Sequence, residues 1–332
     1  MEWNTALASL VGCRYPIVQG AFAGFGTSAL AAPVSEAGGL GQITAGSFRT
    51  PEQLRDDIRR AKSITDKPFA VNFSMGMVPD IDRMLDVAIE ERVGAVFTAA
   101  YRADKYGRRA QEAGIPWVHK VATIKHAQAA ERQGADAVVI VGLEGTGFKS
   151  AIQLPTLISI TVARRLLKIP IIAAGGIGDA RGFLSALGMG ACGIYMGTAF
   201  MATTECPISQ RYKDELVAAQ PWDAKVRDRA LAPPSPEELA RVMKLRETLS
   251  LGEWMSRLER VMLKEPAELD EQHQRRLADG DFGEALRITG GSLAVGVIDR
   301  VRTSRELIED IIQGAEALIA QGAFPCPHTL ST

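Results

Sequence analysis

Short apolar runs alternate with amphipathic helical segments along residues 16–200. Strands that alternate with helices about every 25 residues pair in parallel through right-handed crossovers. Eight such strands close a barrel, whereas open doubly wound sheets more often have about five to seven. The sequence therefore predicts an α/β fold of the (β/α)8 TIM-barrel class. The predicted strands are Ile17–Gln19, Leu40–Ile43, Phe69–Phe73, Ala95–Thr98, Trp117–Val121, Ala137–Val141, Ile171–Ala174 and Gly193–Met196.

The character of the chain changes after Thr204. Residues 205–287 are rich in charged residues and helix formers and contain no strand-like run, whereas residues 288–332 return to apolar sequence. An insertion after the last strand of a barrel lies at the face where active sites occur. We therefore expect a barrel of residues 1–204, a helical cap or substrate subdomain of residues 205–287, and a C-terminal segment, 288–332, that returns to the barrel. A plain helical extension is the alternative to the cap.

Charge and composition exclude several function classes. The chain of 332 residues has a formal net charge of −1, which gives no electrostatic footprint for nucleic acid or an anionic membrane. Its 4 cysteines and 4 histidines show no metal-binding spacing. No secretory signal opens the sequence, and no apolar run reaches the roughly 18 residues of a membrane span. We expect a cytoplasmic monomer or homodimer that acts on a small molecule and holds no metal.

The strongest motif is AAGGIGDARGFLSALGMGACGIYMGTAF, residues 173–200. One predicted strand ends at Gly175-Gly176, and the next ends at Gly197-Thr198. Glycines at a strand end let backbone N–H groups approach a phosphate, and a helix N-terminus favours the negative charge. Because barrels often bind phosphate after strands seven and eight, the motif predicts a phosphate site for a substrate or a cofactor. Glycines that serve only as tight turns are the alternative.

Two further features suit a flat heterocycle. Small residues follow the first strand in the segment QGAFAG, where they leave room for a ring against the backbone. Asn72, near the end of the third strand, carries an amide that both donates and accepts hydrogen bonds. Asparagine at a strand end is also a common turn former, so Asn72 alone does not settle the matter.

Five segments, in order, resemble the nitronate monooxygenase (2-nitropropane dioxygenase) superfamily. They are QGAFAGFGTSALAAPVSEAGGLG, VNFSMG, HKVATIKHAQAAERQGADAVVIVGLEG, AAGGIGDARGFLSALGMGACGIYMGTAFMATTE and GGSLAVGVI. That group includes FMN-dependent enoyl-acyl-carrier-protein reductases and NADH:quinone reductases. The resemblance implies a TIM barrel with a helical cap inserted after the eighth strand and a non-covalently bound FMN.

The resemblance also implies which residues hold the FMN. The loop after the first strand would form the floor beneath the isoalloxazine ring, and an asparagine would bond to the ring. The turns after the seventh and eighth strands would bind the phosphate, and two further segments would touch the cofactor. The residues that match are Ala21, Phe22, Ala23, Gly24, Asn72, Thr146, Gly147, Gly175, Gly176, Tyr195, Met196, Gly197, Thr198, Gly291 and Ser292.

The loop GLEGTGFKS, residues 142–150, departs from the family. The family pattern there is E-A-G-G-H, whose histidine is the base in many nitronate-oxidising members. With the sequences aligned on Glu144, Phe148 stands in the place of the histidine, and a phenylalanine takes no proton. Either Lys149 or Glu144 replaces the base, or the substrate faces an apolar wall, or Lys149 is a solvated surface charge. A desolvated lysine has a lowered pKa, which suits it to proton transfer near neutral pH.

The fifth strand offers a second catalytic candidate in WVHKV, residues 117–121. Alternation along a strand allows only one of His119 and Lys120 to point into the barrel. Lys120 resembles a lysine that some family members place near the flavin, where a cation stabilises the reduced, anionic ring. We therefore favour Lys120, with His119 as the alternative.

The resemblance implies an FMN-dependent oxidoreductase that transfers a hydride or electrons at flavin N5. Without the histidine, we favour reductase or dehydrogenase chemistry on an activated C–C bond, with an acyl-CoA ester as candidate substrate or NAD(P)H as candidate donor. The alternatives are oxidation of alkyl nitronates with O2, a non-redox phosphate-binding synthase or isomerase, and a flavin-binding protein without catalysis. A basic run after the fourth strand would meet a CoA or nucleotide phosphate, unless it is a solvated helix face. It comprises Arg102, Lys105, Arg108 and Arg109.

Overall fold

The computed structural model describes residues 1–22, 24–147, 150, 152–231, 236–249, 254, 257, 261 and 291–322. Its centre is an 8-stranded parallel sheet that curls into a barrel, which confirms the predicted fold class. Most strands have the predicted bounds, and the others differ by about one residue at an end. The strands are β1 Ile17–Gln19, β2 Gly41–Thr44, β3 Phe69–Ser74, β4 Ala95–Ala99, β5 Trp117–Val121, β6 Ala137–Val141, β7 Ile171–Ala174 and β8 Gly193–Met196.

The barrel closes between β1 and β2 through a short seam. Continuous ladders join seven of the eight pairs of neighbouring strands. The remaining pair, β1 and β2, shares only the bridge between Val18 and Leu40. The Gln19 side chain reinforces this seam, because its Oε1 accepts from the Gln42 backbone N–H at 2.8 Å and its Nε2 donates to the Gln42 carbonyl at 3.2 Å. One side chain thus takes over hydrogen bonds that a strand ladder would otherwise supply.

Helices surround the barrel and alternate with its strands. Those of the barrel region are α1 Ala6–Val11, α2 Ser28–Glu36, α3 Pro51–Ile64, α4 Ile81–Glu90, α5 Asp104–Glu112, α6 Ile124–Gln133, α7 Thr156–Leu166, α8 Ala180–Gly188 and α9 Thr198–Met201. Later helices are α10 Gln210–Ala218, α11 Ala224–Leu231, α12 Pro236–Lys244 and α13 Ser304–Ala320. Three-residue or longer 3-10 turns lie at Ala45–Ser47, Leu245–Glu247 and Leu293–Val297.

The helix starts follow from local capping chemistry. Thr50 forms a capping box with Gln53 at the start of α3. Thr123 and Asp179 cap α6 and α8, since each side chain accepts a backbone N–H of the first helical turn. At the other end of α6, Gly134 takes the left-handed conformation that glycine adopts readily, with φ of +93°. The helix ends thereby fix where the chain turns between each helix and the neighbouring strand.

Helix α1 plugs the N-terminal end of the barrel, a role that its sequence does not reveal. Leu7 and Val11 of α1 belong to the same buried cluster as the interior side chains Val18, Phe97 and Val139. The interior is therefore filled with side chains at this end. Any ligand space must lie at the opposite end, where the strands terminate.

The final helix, α13, occupies the position of the barrel's eighth outer helix. It packs between α8 and α2, next to β1. The chain returns to it through an isolated bridge between Thr203 and Arg302 and through a hydrogen bond from Thr204 N to Arg302 O of 2.9 Å. Residues 205–290 thus lie between β8 and its outer helix. The described part of this stretch contains α10, α11 and α12, and its role as a cap remains a prediction.

Candidate active site

Three polar side chains point into the barrel near the C-terminal ends of its strands. Asn72 follows the interior residue Ala70 by two positions, and Lys120 follows the interior residue Val118 in the same way. Residues two apart share a face of a strand. Tyr195 of β8 is itself a member of the interior cluster. The structure therefore brings together three predicted residues from β3, β5 and β8.

His119 lies on the other face of β5, among the outer helices. Its Nδ1 is 2.7 Å from Thr98 Oγ1, which also accepts a hydrogen bond of 2.7 Å from Trp117 Nε1. Burial lowers the pKa of His119 to about 4, so the imidazole is neutral near pH 7. The alternation of β5 thus gives the barrel interior to Lys120 and removes His119 from the site.

Lys120 is a cation with no anionic partner in the part of the chain that the structure describes. Its Nζ lies 5.5 Å from the centre of the Tyr195 ring, and a Cβ on Gly147 would be 3.8 Å from that nitrogen. Lys120 forms no hydrogen bond or ion pair with the residues that the structure describes. Burial lowers the pKa of its ammonium to about 8. The barrel mouth therefore contains an ammonium group whose positive charge a bound ligand or water would stabilise.

Asn72 is completely buried and presents an unused donor. Its Oδ1 accepts a hydrogen bond of 2.9 Å from Ser74 Oγ, which fixes the orientation of the amide. The Nδ2 group has no acceptor in the described part of the chain. Because a buried N–H without an acceptor costs about 1–3 kcal/mol, the arrangement fits a ligand that accepts this hydrogen bond.

Gln42 is a second amide of the mouth, and no sequence motif selects it. Its Oε1 accepts a hydrogen bond of 3.2 Å from Tyr195 Oη, while its Nε2 has no acceptor among the described residues. Gln42 and Asn72 lie on neighbouring strands, β2 and β3. In the strand register Gln42 is level with Ala70, two residues below Asn72, so the two amide donors lie at successive levels of the same wall of the interior. Amide donors of this kind suit hydrogen bonding to a polar heterocycle.

The loop after β1 is held rigidly over the strand ends. Ala23 lies outside the described residues, but the backbone on either side of it is fixed by side chains from other elements. The hydrogen bonds are Ala21 N to Tyr195 Oη at 2.7 Å, Phe22 N to Thr44 Oγ1 at 2.9 Å and Gly24 N to Ser47 Oγ at 3.2 Å. A flat ring would meet a preorganised surface here.

Gly175 and Gly176 have structural reasons of their own to be glycine. Both have positive φ, +103° and +74°, where other residues are strained. A Cβ on Gly175 would lie 2.9 Å from Thr156 Oγ1, and one on Gly176 would lie 3.1 Å from Glu144 Cβ. These glycines therefore let the turn after β7 pack against the 142–147 loop, whether or not they also contact a phosphate.

Gly197 differs, because nothing inside the protein requires a glycine there. Its φ is −96°, and a Cβ would meet only Phe22 Cε1, at an ordinary 3.7 Å. The free space lies between the turn after β8 and the loop after β1. Of the predicted phosphate residues, Gly197 is thus the one whose missing side chain points to a ligand.

The late segment, which the resemblance places at the flavin edge, packs against this turn. Ser292 N donates to Thr198 Oγ1 at 2.9 Å, and the two hydroxyl oxygens are also 2.9 Å apart. Gly291 lies directly against Thr198, where a side chain would clash. The structure therefore joins Gly291 and Ser292 to the β8 turn. The side chain of Met196, by contrast, points to the outer helices, so only its backbone is available to the site.

Glu144 serves as a structural anchor. Its carboxylate accepts hydrogen bonds of 2.8 Å from Thr156 N and 2.7 Å from Thr156 Oγ1, at the start of α7. We expected this carboxylate to hold its own loop or to act as a base. Instead it caps a helix 12 positions along the chain, because α7 begins without a side-chain cap from Pro155. Both of its side-chain hydrogen-bond donors belong to Thr156, so in this structure the carboxylate holds the start of α7, and a role as base remains a prediction.

The rest of the 142–150 loop is only partly described. Thr146 and Gly147 lie at the mouth, the latter close to Lys120. Phe148 and Lys149, the two positions that replace the family histidine, fall outside the described residues. The role of Lys149 therefore remains a prediction.

The basic run after β4 is neutralised by acidic residues of neighbouring elements. Lys105 and Arg109 both pair with Asp82 of α4, at 2.9 and 2.6 Å. Arg102 and Arg108 pair with Asp104 within α5, at 2.6 and 3.5 Å. This run is therefore a solvated helix face whose basic residues have carboxylate partners. It does not form an unpaired basic surface for a phosphate.

Among the described residues, no helix has the length and apolar character needed to cross a bilayer. The same residues contain no group of three or more metal-ligating side chains.

Comparison with known proteins agrees with this arrangement. The chain matches the nitronate monooxygenase family over residues 4–82 and 72–314. It is 30% identical over 268 residues to a probable nitronate monooxygenase of Staphylococcus aureus (strain MSSA476), a match that covers 68% of this chain and 75% of that protein. It is 34% identical over 223 residues to (3aS,4S,5R,7aS)-5-hydroxy-7a-methyl-1-oxo-octahydro-1H-indene-4-carboxyl-CoA dehydrogenase of Rhodococcus jostii (strain RHA1), with 67% of this chain and 62% of that protein covered. The match thus spans less than two thirds of the dehydrogenase.

Solved structures give the same picture. FabK from Thermotoga maritima superposes with a TM-score of 0.76 at 31% identity, over 96% of this chain and 98% of that chain. Nitroalkane oxidase from Streptomyces ansochromogenes shares the fold, with a TM-score of 0.71 at 22% identity over 96% and 100% of the two chains. With a family match that extends over most of its length and a barrel of the same architecture, the chain belongs to the nitronate monooxygenase family.

Proposed function

We propose that the protein is an FMN-dependent oxidoreductase whose substrate reacts at the C-terminal mouth of the barrel. Two groups inside that mouth carry the proposal: Asn72 Nδ2, which has no acceptor among the described residues, and the Lys120 ammonium, which lies over the Tyr195 ring. One is a hydrogen-bond donor for a polar ring, and the other is a cation for a group that becomes negative.

The residues present fit FMN. Asn72 and Gln42 would donate to the ring, the loop at Ala21–Phe22 would support its face, and the space beside Gly197 would receive the phosphate. FMN carries a single phosphate, which suits one pair of turns after β7 and β8. The G-x-G-x-x-G fingerprint by which Rossmann folds bind FAD does not follow β1.

When bound, FMN supplies hydride or electron transfer at N5. The chain's own contribution begins with Lys120, whose ammonium stabilises negative charge that develops in the mouth. Tyr195 orders the site from below, because its hydroxyl group accepts from Ala21 N and donates to Gln42. Lys149 is our candidate for proton transfer, since it stands beside the lost histidine position.

For the reaction, we favour an activated C–C bond in an acyl thioester over an alkyl nitronate. Phe148 in place of the histidine removes the base used by many nitronate-oxidising members. Support also comes from the name of the Rhodococcus relative, a carboxyl-CoA dehydrogenase. Oxidation of nitronates with O2 remains the second candidate, because the Staphylococcus aureus relatives are named probable nitronate monooxygenases.

A visible spectrum and an anaerobic reduction screen test the proposal. Purified protein should absorb near 450 nm, and the extracted cofactor should be FMN. NADH, NADPH, an alkyl nitronate and acyl-CoA esters are then mixed with the protein under nitrogen, and bleaching identifies the donor. Protein that takes up no flavin on reconstitution would refute the proposal, and bound FAD would refute its cofactor assignment. Mass photometry decides between the expected monomer and homodimer.

A further inference from the structure

Arg246 is a second cation that the site described above does not use. It lies in the 3-10 turn Leu245–Glu247, directly after α12, with its guanidinium carbon 5.3 Å from the centre of the Trp254 ring. Its Nε and Nη2 are closed off from water and have no hydrogen-bond acceptor among the described residues. Nη1 is not closed off in this way. The aromatic contact thus holds the guanidinium in place while leaving its hydrogen bonding unsatisfied.

The position of Arg246 is at the rim of the barrel mouth. Leu245 and Val242 pack in one small apolar cluster with Met77, which belongs to the loop after β3. The carbonyl of Met77 in turn lies next to Gly46, in the 3-10 turn after β2. This chain of contacts places Arg246 over the C-terminal ends of β2 and β3.

Arg49 carries a charge of the same sign that acts on Arg246. It follows the 3-10 turn after β2, and its positive charge, after burial, is the second cause that lowers the pKa of Arg246. No carboxylate contributes to that shift. Like charges that approach in a partly desolvated site destabilise the fold unless an anion lies between them.

Other arginines of this chain do have carboxylate partners. Arg102 and Arg109 each bind a carboxylate within 2.6 Å, although both could be solvated. Arg109, which is half-buried like Arg246, has a carboxylate partner, whereas the buried nitrogens of Arg246 have no acceptor among the described residues. Folding chemistry alone gives no reason for this difference.

We propose that Arg246 and Arg49 together bind a phosphate group of the substrate at the rim of the mouth, on the side of β2 and β3. A phosphate oxygen enters at Nη1, and a rotation of the guanidinium brings Nε into a forked contact. The inference rests on the proposed function, because the reacting end of the same molecule must reach Lys120 and Asn72.

This site is separate from the glycine-rich turns, which follow β7 and β8. The substrate is therefore a long molecule with its phosphate distant from the reacting carbon. Two classes share that chemistry: a thioester of coenzyme A, and NADPH, which carries a phosphate that NADH lacks. Arginine suits both, since its fork matches two phosphate oxygens.

Calorimetric titration of the full-length, flavin-loaded protein tests the proposal. The probes are coenzyme A, NADP+, NAD+ and inorganic phosphate. The variants are Arg246→Gln and Arg49→Gln, and Arg241→Gln is the matched control, because Arg241 is an exposed cation of the same cap helix. Thermal denaturation and the flavin spectrum show whether each variant folds. Arg49 lies on an exposed loop, so Arg49→Gln should fold even if Arg246→Gln does not, and the proposal can then still be tested.

We expect coenzyme A or NADP+ to bind the wild type and to lose about tenfold or more in affinity in both variants, with less than twofold change in Arg241→Gln. Binding of coenzyme A identifies the thioester, and preference for NADP+ over NAD+ identifies the donor. The proposal is overturned if no phosphate-bearing probe binds the wild type, or if the control loses as much affinity as the two variants. Absence of a flavin spectrum would instead count against the proposed function, since the titration reads binding without turnover.

Discussion

The ammonium of Lys120 and the ring of Tyr195 face each other across the barrel interior, 5.5 Å apart. Burial acts on both in opposite directions, since it lowers the pKa of Lys120 to about 8 and raises that of Tyr195. Near pH 7 the pair is an ammonium over a neutral phenol ring. The attraction between a cation and an aromatic face thus offsets part of the cost of burying the charge.

Lys120→Met should slow flavin reduction by any donor by about tenfold or more, because the cation that stabilises developing negative charge is lost. In the wild type, the rate of flavin reduction should be constant below pH 8 and fall as the pH rises through that pKa. The variant should lack this fall. Stopped-flow reduction under nitrogen between pH 6 and 10 measures both. An unchanged profile in the variant would remove Lys120 from the mechanism.

The same substitution should stabilise the flavin-free protein near pH 7. The folded state holds fewer protons on Lys120 than the unfolded state between pH 8 and the ordinary value of 10.5. Stability from this group therefore rises with pH across that window, and below it the buried charge costs up to about 3 kcal/mol. Urea unfolding of the apo variant should show a higher midpoint than the wild type at pH 7, and the difference should shrink towards pH 10.

Asn72→Leu should weaken FMN binding by about tenfold, because the Nδ2 donor is lost, while leaving the apo fold at least as stable. Ser74→Ala is the matched comparison. It frees the amide to rotate and should weaken binding less, since the donor remains. Fluorescence titration of the apo proteins with FMN gives the affinities. Equal affinity of Asn72→Leu and wild type would mean that the amide faces something other than the flavin.

Gly197→Ala should fold normally and yet lose FMN affinity by about tenfold or more. The added methyl group meets only Phe22 at 3.7 Å in the protein itself, but it occupies the space assigned to the phosphate. Gly176→Asp should also abolish binding, although it strains a left-handed backbone and so destabilises the fold as well. Gly188→Ala, where a Cβ meets nothing within 4 Å, controls for the methyl group. Retained FMN in Gly197→Ala would place the phosphate elsewhere.

Glu144→Ala should destabilise the protein by about 1–2 kcal/mol, because Thr156 N then lacks its acceptor at the start of α7. Glu112→Ala, an exposed carboxylate at the end of α5, should change stability little. Denaturant unfolding checks both. A large loss of turnover at unchanged stability would restore Glu144 as the base.

Lys149→Met should lower turnover of the true substrate by about a hundredfold, the usual scale of general acid–base help, while FMN stays bound. Lys125→Met removes an equally charged but exposed lysine and should have no effect. Steady-state kinetics with the donor found in the reduction screen provides the measurement. Normal turnover would make the loop a flavin cover only, and the base would then lie in the cap.

Much of the fold could be predicted from the sequence because strands, helix caps and turns depend on patterns of adjacent residues. The strand ends at Gly175 and Gly197 follow directly from apolar runs that stop at glycine, and the cap at Thr50 follows from its neighbour Gln53. The alternation of β5 allowed only one of His119 and Lys120 to face the interior, and the family resemblance favoured Lys120. Each of these inferences needs only a few adjacent residues.

The remainder depends on pairs that are distant along the chain. Nothing near Glu144 indicates that Thr156 takes its carboxylate, and nothing near Arg109 shows that Asp82 neutralises it. Gln42 is identified as a site residue only by its hydrogen bond with Tyr195, which lies on the last strand of the barrel. Such contacts exist only after the barrel has closed, so a reading of local patterns does not find them.

The seam at Gln19 makes the barrel mechanically uneven. Seven junctions between strands are continuous ladders, whereas the eighth consists of one backbone bridge and the Gln19 side chain. The loop that would carry the isoalloxazine ring begins directly after this junction. A change at position 19 would therefore alter how widely the mouth can spread for a bulky substrate while leaving every residue of the site in place, which makes that position a natural tuning point for substrate size.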